Sequence, residues 1–168
     1  LKKLVQQTAL GQYPFASVVA CIDSRSPPEI VFDQSIGDIF VARVAGNVAN
    51  DDIIGSLEYA SKVAGSRVIV VLGHTNCGAI KGACDGVKMG NLTGLLSKIE
   101  PAVIAAKTSG ERNSKNHEFV DEVTEINVGD TIRTIRAKSP ILKELEDQGK
   151  IKIVGAVYDT SNGKIHWQ

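Results

Sequence analysis

Four stretches of the chain are rich in valine and isoleucine and scarcely alternate with polar residues: Ala16 to Cys21, Ile39 to Val44, Val68 to Gly73 and Ile151 to Tyr158. Short continuous apolar runs of this kind mark strands buried on both faces, as in a parallel sheet. Between the second and third runs stands NDDIIGSLEYASKVAG, residues 50–65. Asn50 is a capping residue, acidic side chains fill the first turn, and Ile53, Ile54, Leu57, Ala60 and Val63 keep helical spacing before Gly65. That pattern predicts a helix. Further helices are predicted over Gly78 to Ala83, Leu92 to Ala106, a long amphipathic stretch around Glu118 to Lys138 that Pro140 terminates, and Leu142 to Gln148. The polar KTSGERNSKN, residues 107–116, reads as a surface loop. Strands separated by helices imply right-handed crossovers, hence an open α/β fold with a parallel core of about four strands and flanking helices. No repeat or composition shift calls for a boundary, so residues 1–168 read as a single domain.

Composition narrows the function. The 19 basic and 19 acidic side chains cancel, so no basic field is available for nucleic acid or an anionic membrane. The apolar runs are too short to span a bilayer, and the amino end lacks the layout of a signal peptide. A soluble protein is expected. The chain begins at Leu1 rather than Met, which leaves room for trimming, including loss of a leader. Its three cysteines cannot close a disulfide set. Reduced thiols or metal ligands are the expectation, with the cytoplasm as the default setting.

Candidate chemistry gathers where two strands end. In VVACIDSR, residues 18–25, Cys21, Asp23 and Arg25 occupy alternate positions, which in extended backbone share one side. The third run continues as VIVVLGHTNCGA, residues 68–79, so His74 and Cys77 emerge just past its carboxyl end. Ligand sites of open α/β sheets form at that edge. Alone, a His and a Cys three apart are as readily structural, and a lone Cys21 reads as a small buried hydrophobe. Together they make a Cys-His-Cys set, which catalytic zinc sites use with the fourth position open. Thiolates with imidazole select zinc over magnesium or calcium, and an iron-sulfur cluster usually wants four cysteines. One zinc per chain is expected. Cys84, on the following helix, reads as an idle buried thiol.

CIDSR, GDIFVARVAGN, GSLEYA and GHTNCGA resemble, in order and spacing, the motifs of the β-class carbonic anhydrases, and the likeness runs from Gly11 to Tyr158. The resemblance implies a zinc enzyme that hydrates carbon dioxide to bicarbonate and a proton, built as a homodimer or a dimer of dimers around a four-stranded parallel core. It makes Cys21, His74 and Cys77 the zinc ligands and sets Asp23 beside the metal, either paired with Arg25 or entering as a fourth ligand. It also implies an apolar substrate cleft at the dimer interface, with Gln12, Phe40, Ala45, Tyr59 and Gly78 at the matching positions. Without it, Phe40 and Tyr59 read as core aromatics and Gln12 as a loop residue. Two departures stand out. Residues 1–10 are all that remains of a longer helical arm common in the family, and Val18 stands where a bicarbonate-inhibited subgroup carries Trp. That subgroup's inhibitory pocket is therefore expected to be incomplete, although Arg43, which resembles its arginine, is present.

The implied reaction is attack of zinc-bound hydroxide on carbon dioxide. Arg25 decides the role of Asp23, because a bidentate guanidinium holds the carboxylate off the metal. Two thiolates cancel the zinc charge, so turnover is expected to climb through roughly pH 7 to 9, with Asp23 losing its hold on Arg25 on the acid side. His117, in the polar loop, and His166 read as surface residues, which leaves the proton shuttle unassigned. Two alternatives share the site: hydrolysis of carbon disulfide or carbonyl sulfide, and a non-catalytic protein with a closed structural zinc. Arg25 speaks against the second, since a closed site has no need of it.

Overall fold

In the computed structural model, which describes residues 1–168, the four apolar runs are β1 (Ala16–Ala20), β2 (Ile39–Arg43), β3 (Val68–His74) and β4 (Lys152–Tyr158). All four are parallel, in a sheet of order β2-β1-β3-β4-β5. The fifth strand, β5 (Ile165–Trp167), runs antiparallel to β4 and has no counterpart in the sequence reading, because three residues carry no readable period. Central β1 is buried at all five positions, whereas β2, at the edge, is partly exposed at every position.

Helices fill the crossovers: α1 (Lys2–Thr8), α2 (Pro28–Val31), α3 (Asp51–Glu58), α4 (Gly78–Cys84), α5 (Gly90–Leu96), α6 (Glu100–Ala105), α7 (His117–Lys138) and α8 (Pro140–Asp147). Asn50 caps α3 by accepting from Ile53 N–H at 2.8 Å. Four expectations need correction. The helix over residues 50–65 widens after Glu58 into a π turn, Tyr59–Val63. The stretch Leu92 to Ala106 is two helices, since Pro101 has no N–H to donate and stands in the first turn of α6, where none is required. His117 opens α7 rather than lying in the loop. Pro140 begins α8, and Ser139 between the two helices caps it by accepting from Leu142 N–H at 3.1 Å.

The main core lies between the sheet and α3, α7 and α8, where Val19, Ile69, Val71, Ile153 and Val157 meet Ile54, Leu57, Val128, Ile135 and Leu142. Gly73 lets α7 sit this close: a Cβ there would stand 2.8 Å from Val128 Cγ2. On the other face Val18, Ala20, Val70, Leu72 and Ala156 are backed by Val31, Phe32 and Ile165. No helix is long and apolar enough to cross a membrane.

Candidate metal centre

From β1 the chain moves to one side to form β2 and then returns past β1 to form β3. The carboxyl ends of β1 and β3 therefore flank the point where the strand order reverses, the place where open α/β sheets bind ligands. Cys21 directly follows β1, His74 is the last residue of β3, and Cys77 is the N-cap of α4. All three are buried, and their ligand atoms lie within 4.8 Å of one another. The sulfurs are 4.0 Å apart, close to the spacing of about 3.8 Å for two thiolates each about 2.3 Å from a tetrahedral zinc. His74 Nδ1 lies 2.8 Å from the Thr75 carbonyl oxygen and donates to it. Nε2 is then a bare acceptor, buried and without a hydrogen-bond partner. A buried polar atom left unpaired is costly, and a cation between Nε2 and the two sulfurs removes that cost. The donor set fits zinc.

Electrostatics prepare the same site. The Cys77 thiol as donor, helped by the Gly46 N–H, lowers the Cys21 pKa against the opposing effect of burial. Cys77 is correspondingly pushed up by its bond to Cys21 and by burial. Burial disfavours a charged His74, but Cys21 and the Thr75 carbonyl outweigh it and raise its pKa. The Gly46 N–H lies 3.3 Å from Cys21 Sγ, in a 3-10 turn, Ala45–Asn47. Gly46 has φ +71°, and a Cβ there would meet Ile99 Cδ1 at 2.6 Å. Buried side chains of α7 hold the turn: Asn127 donates to the Gly46 carbonyl at 2.8 Å and Thr131 to that of Asn47 at 3.1 Å.

Asp23 stands at the rim, its Oδ2 3.7 Å from His74 Nε2. Arg25 grips it bidentately, Nε to Oδ1 at 3.0 Å and Nη2 to Oδ2 at 2.7 Å, and also donates to the Asn76 carbonyl at 3.1 Å. The Arg25 side chain is the main reason that the Asp23 pKa falls to about 2. The expectation that Asp23 releases Arg25 on the acid side of neutrality is therefore wrong: the pair stays ionised far below that range. Arg43 has a role that the motifs did not reveal. Its Nε and Nη2 donate to the carbonyls of Cys21 and Asp23 at 2.7 and 2.6 Å, bracing the loop after β1. The available signal was positional, since Arg43 pairs with Ala20 at the same sheet edge.

Of the other candidate residues, Ala45 begins the turn beside Cys21 and Gly78 follows Cys77. Phe40 and Tyr59 pack edge to face, 6.1 Å between centroids, and line a cleft of about 780 Å³ that is also bordered by α3 and by none of the Cys-His-Cys residues. Tyr59 is 50% exposed, so it is not the core aromatic that its sequence context alone suggests. Gln12 is exposed ahead of β1. Phe40 lies beside Ser17, four positions before Cys21 along the sheet, so one chain does not bring the Phe40–Tyr59 pair to the cluster. Cys84 is a buried free thiol, pushed up to about 11 by burial.

A family model described as carbonic anhydrase matches residues 16–165. The chain is 36% identical over 161 residues to carbonic anhydrase 2 of Mycobacterium tuberculosis, covering 93% of this chain and 75% of that protein. Its fold is similar to the crystal structure of the β-carbonic anhydrase CafA of Aspergillus fumigatus, at 26% identity and a TM-score of 0.87, over 99% of this chain and 81% of the other. It is also similar to a structure described as one of two tetrameric β-carbonic anhydrases of Sordaria macrospora, at 25% identity and a TM-score of 0.82, over 99% and 89% of the two chains.

Proposed function

The chain belongs to the β-class carbonic anhydrases, and from that premise we propose that it hydrates carbon dioxide reversibly to bicarbonate and a proton with one zinc held by Cys21, His74 and Cys77. The observation that carries this reading is the convergence of two buried sulfurs and an unpartnered imidazole nitrogen beside a carboxylate that is already engaged. Zinc, when bound, supplies Lewis acidity that makes water a nucleophile near neutral pH. The chain's own residues do the rest. Arg25 keeps Asp23 occupied, so the carboxylate accepts a hydrogen bond from water at the site instead of joining the ligands. Cys21 and Cys77 belong to the same buried apolar cluster as Val48, Ile80 and Ile99, which keeps bulk water from the sulfurs. Gly46 N–H and Arg43 hold Cys21 and its loop in place.

The working unit we propose is a homodimer, free to pair into a dimer of dimers, in which Gln12, Phe40 and Tyr59 of one copy complete the substrate cleft of the other. Support comes from the partly exposed edge strand β2 and from Tyr13, Phe15 and Tyr59, which are at least half exposed on one chain. The three free cysteines make the cytoplasm the proposed setting.

Metal analysis with a stopped-flow hydration assay tests the reading. One zinc per chain and turnover of carbon dioxide are expected, and Cys21→Ser and Cys77→Ser should lose most metal and all activity, because a hydroxyl ligates zinc far less well than a thiolate. Full zinc occupancy in both variants would overturn the ligand assignment. Turnover confined to carbon disulfide or carbonyl sulfide would transfer the site to hydrolysis of those gases.

A further inference from the structure

Only Thr75 and Asn76 separate His74 from Cys77, and each lends its carbonyl to a different functional group. The Thr75 carbonyl accepts from His74 Nδ1 at 2.8 Å, which fixes the tautomer that leaves Nε2 free. The Asn76 carbonyl accepts from Arg25 Nη2 at 3.1 Å, and Asn76 takes φ +53° to aim it there. Both carbonyls thus depend on how this loop is held.

The loop is tied to a distant part of the chain. Thr75 Oγ1 lies 3.0 Å from Thr160 Oγ1 and accepts from the Thr160 backbone N–H at 3.0 Å, while Thr75 N–H donates to the Tyr158 carbonyl at 2.9 Å. Thr160 sits in the turn between β4 and β5, which is itself closed. Asp159 accepts from Gly163 N–H through its carbonyl at 2.8 Å, and its side chain accepts from Ser161 N–H at 2.8 Å and Asn162 Nδ2 at 2.9 Å. A stiff turn 85 residues away therefore grips the residue that orients the metal-site histidine.

We propose that Thr75 is a positioning residue and that its hydroxyl, clamped by Thr160, sets the His74 imidazole for metal and steadies the anchor of Arg25. This rests on the zinc reading above. Thr75→Val keeps the shape but cannot accept, so it leaves the Thr160 N–H without its partner and loosens the loop, which then keeps only the Thr75 N–H bond to the Tyr158 carbonyl as its tie to this turn. Loss of such outer contacts typically weakens metal binding by about 10- to 100-fold.

The test is zinc affinity by competition with a chromophoric chelator, together with the absorption spectrum of the cobalt-substituted protein, for wild type, Thr75→Val, Thr75→Ser and Thr160→Val. Thr75→Val should bind zinc about 10- to 100-fold more weakly and shift the cobalt bands. Thr75→Ser, which keeps the hydroxyl, should restore both, and Thr160→Val, which keeps its N–H, should fall between. Wild-type affinity and an unchanged cobalt spectrum in folded Thr75→Val would overturn the clamp. Should Thr75→Val fail to fold, the same wild-type result in Thr160→Val overturns it instead. A wild-type protein that binds no zinc would strike the proposed function, a different failure from this one.

Discussion

Asp23 is the residue on which chemistry and structure meet most directly. Its carboxylate lies close enough to His74 Nε2 to reach a metal held there, and two Arg25 nitrogens occupy it instead. Removing the guanidinium frees Asp23 to become a ligand, so Arg25→Ala should keep its zinc and lose turnover by at least about 100-fold, the scale of a lost positioned group in catalysis. Metal content and hydration rate measured on one preparation decide it, and near-normal turnover would show that the latch is dispensable. Because Asp23 is held at about 2, moderate acidification does not open the pair, and an inflection of activity near neutrality belongs to another group.

At the scale of elements, the turn after β2 and the junction of α7 with α8 carry the clearest consequences. Gly46→Ala places a Cβ against Ile99 in a left-handed backbone and displaces the N–H aimed at Cys21. It should cost about 1–3 kcal/mol of stability and weaken zinc retention, read by urea unfolding and chelator competition. Ser139 is fully buried, caps α8 and donates to Glu58 at 2.6 Å. Ser139→Ala should therefore cost about 1–2 kcal/mol while the metal affinity stays unchanged. Glu122 on α7 ties down the start of the 107–116 loop, accepting from Lys107 N–H at 3.0 Å and Thr108 N–H at 2.7 Å, and the Thr108 hydroxyl chiefly lowers its pKa. A carboxyl depressed in the folded state contributes its tether above the unfolded value, near 4.3, and loses it as pH falls below that range. Amide protection in residues 107–116, taken as exchange corrected for its intrinsic pH dependence, should be high at about pH 6 and fall as acid protonates Glu122, with Glu122→Gln already less protected at that pH. Protection that is indifferent to both changes would refute the tether.

At the scale of the whole molecule, the separation of Phe40 and Tyr59 from the Cys-His-Cys residues is the main fact. A cleft assembled from two copies predicts a dimer in sedimentation at working concentration. Tyr59 is half exposed on a single chain, so Tyr59→Glu should fold and retain zinc, yet sediment as a monomer with little activity. A fully active monomer would contradict the shared cleft.

The order of apolar runs and helical periods determined the parallel core by itself, because burial on both faces and helical spacing leave a local imprint on residue type. His74 and Cys77 were legible through their place after a strand, since the edge at which a strand ends is a local matter. The period-two reading of Cys21, Asp23 and Arg25 found the right residues for the wrong reason: β1 stops at Ala20, and Arg25 lies in a turn where its own N–H donates to Asp23 Oδ1 at 2.9 Å. The approach of Cys21, His74 and Cys77 to within a few ångströms was decided only by topology, which sets β1 beside β3. The same holds for Arg43 on the Cys21 loop, Asn127 on the Gly46 turn and Thr160 on Thr75, all partners far away in the chain. Hydrogen bonds between distant segments leave no period in a sequence: any polar residue of suitable length could make them, and only the packed fold selects which one does.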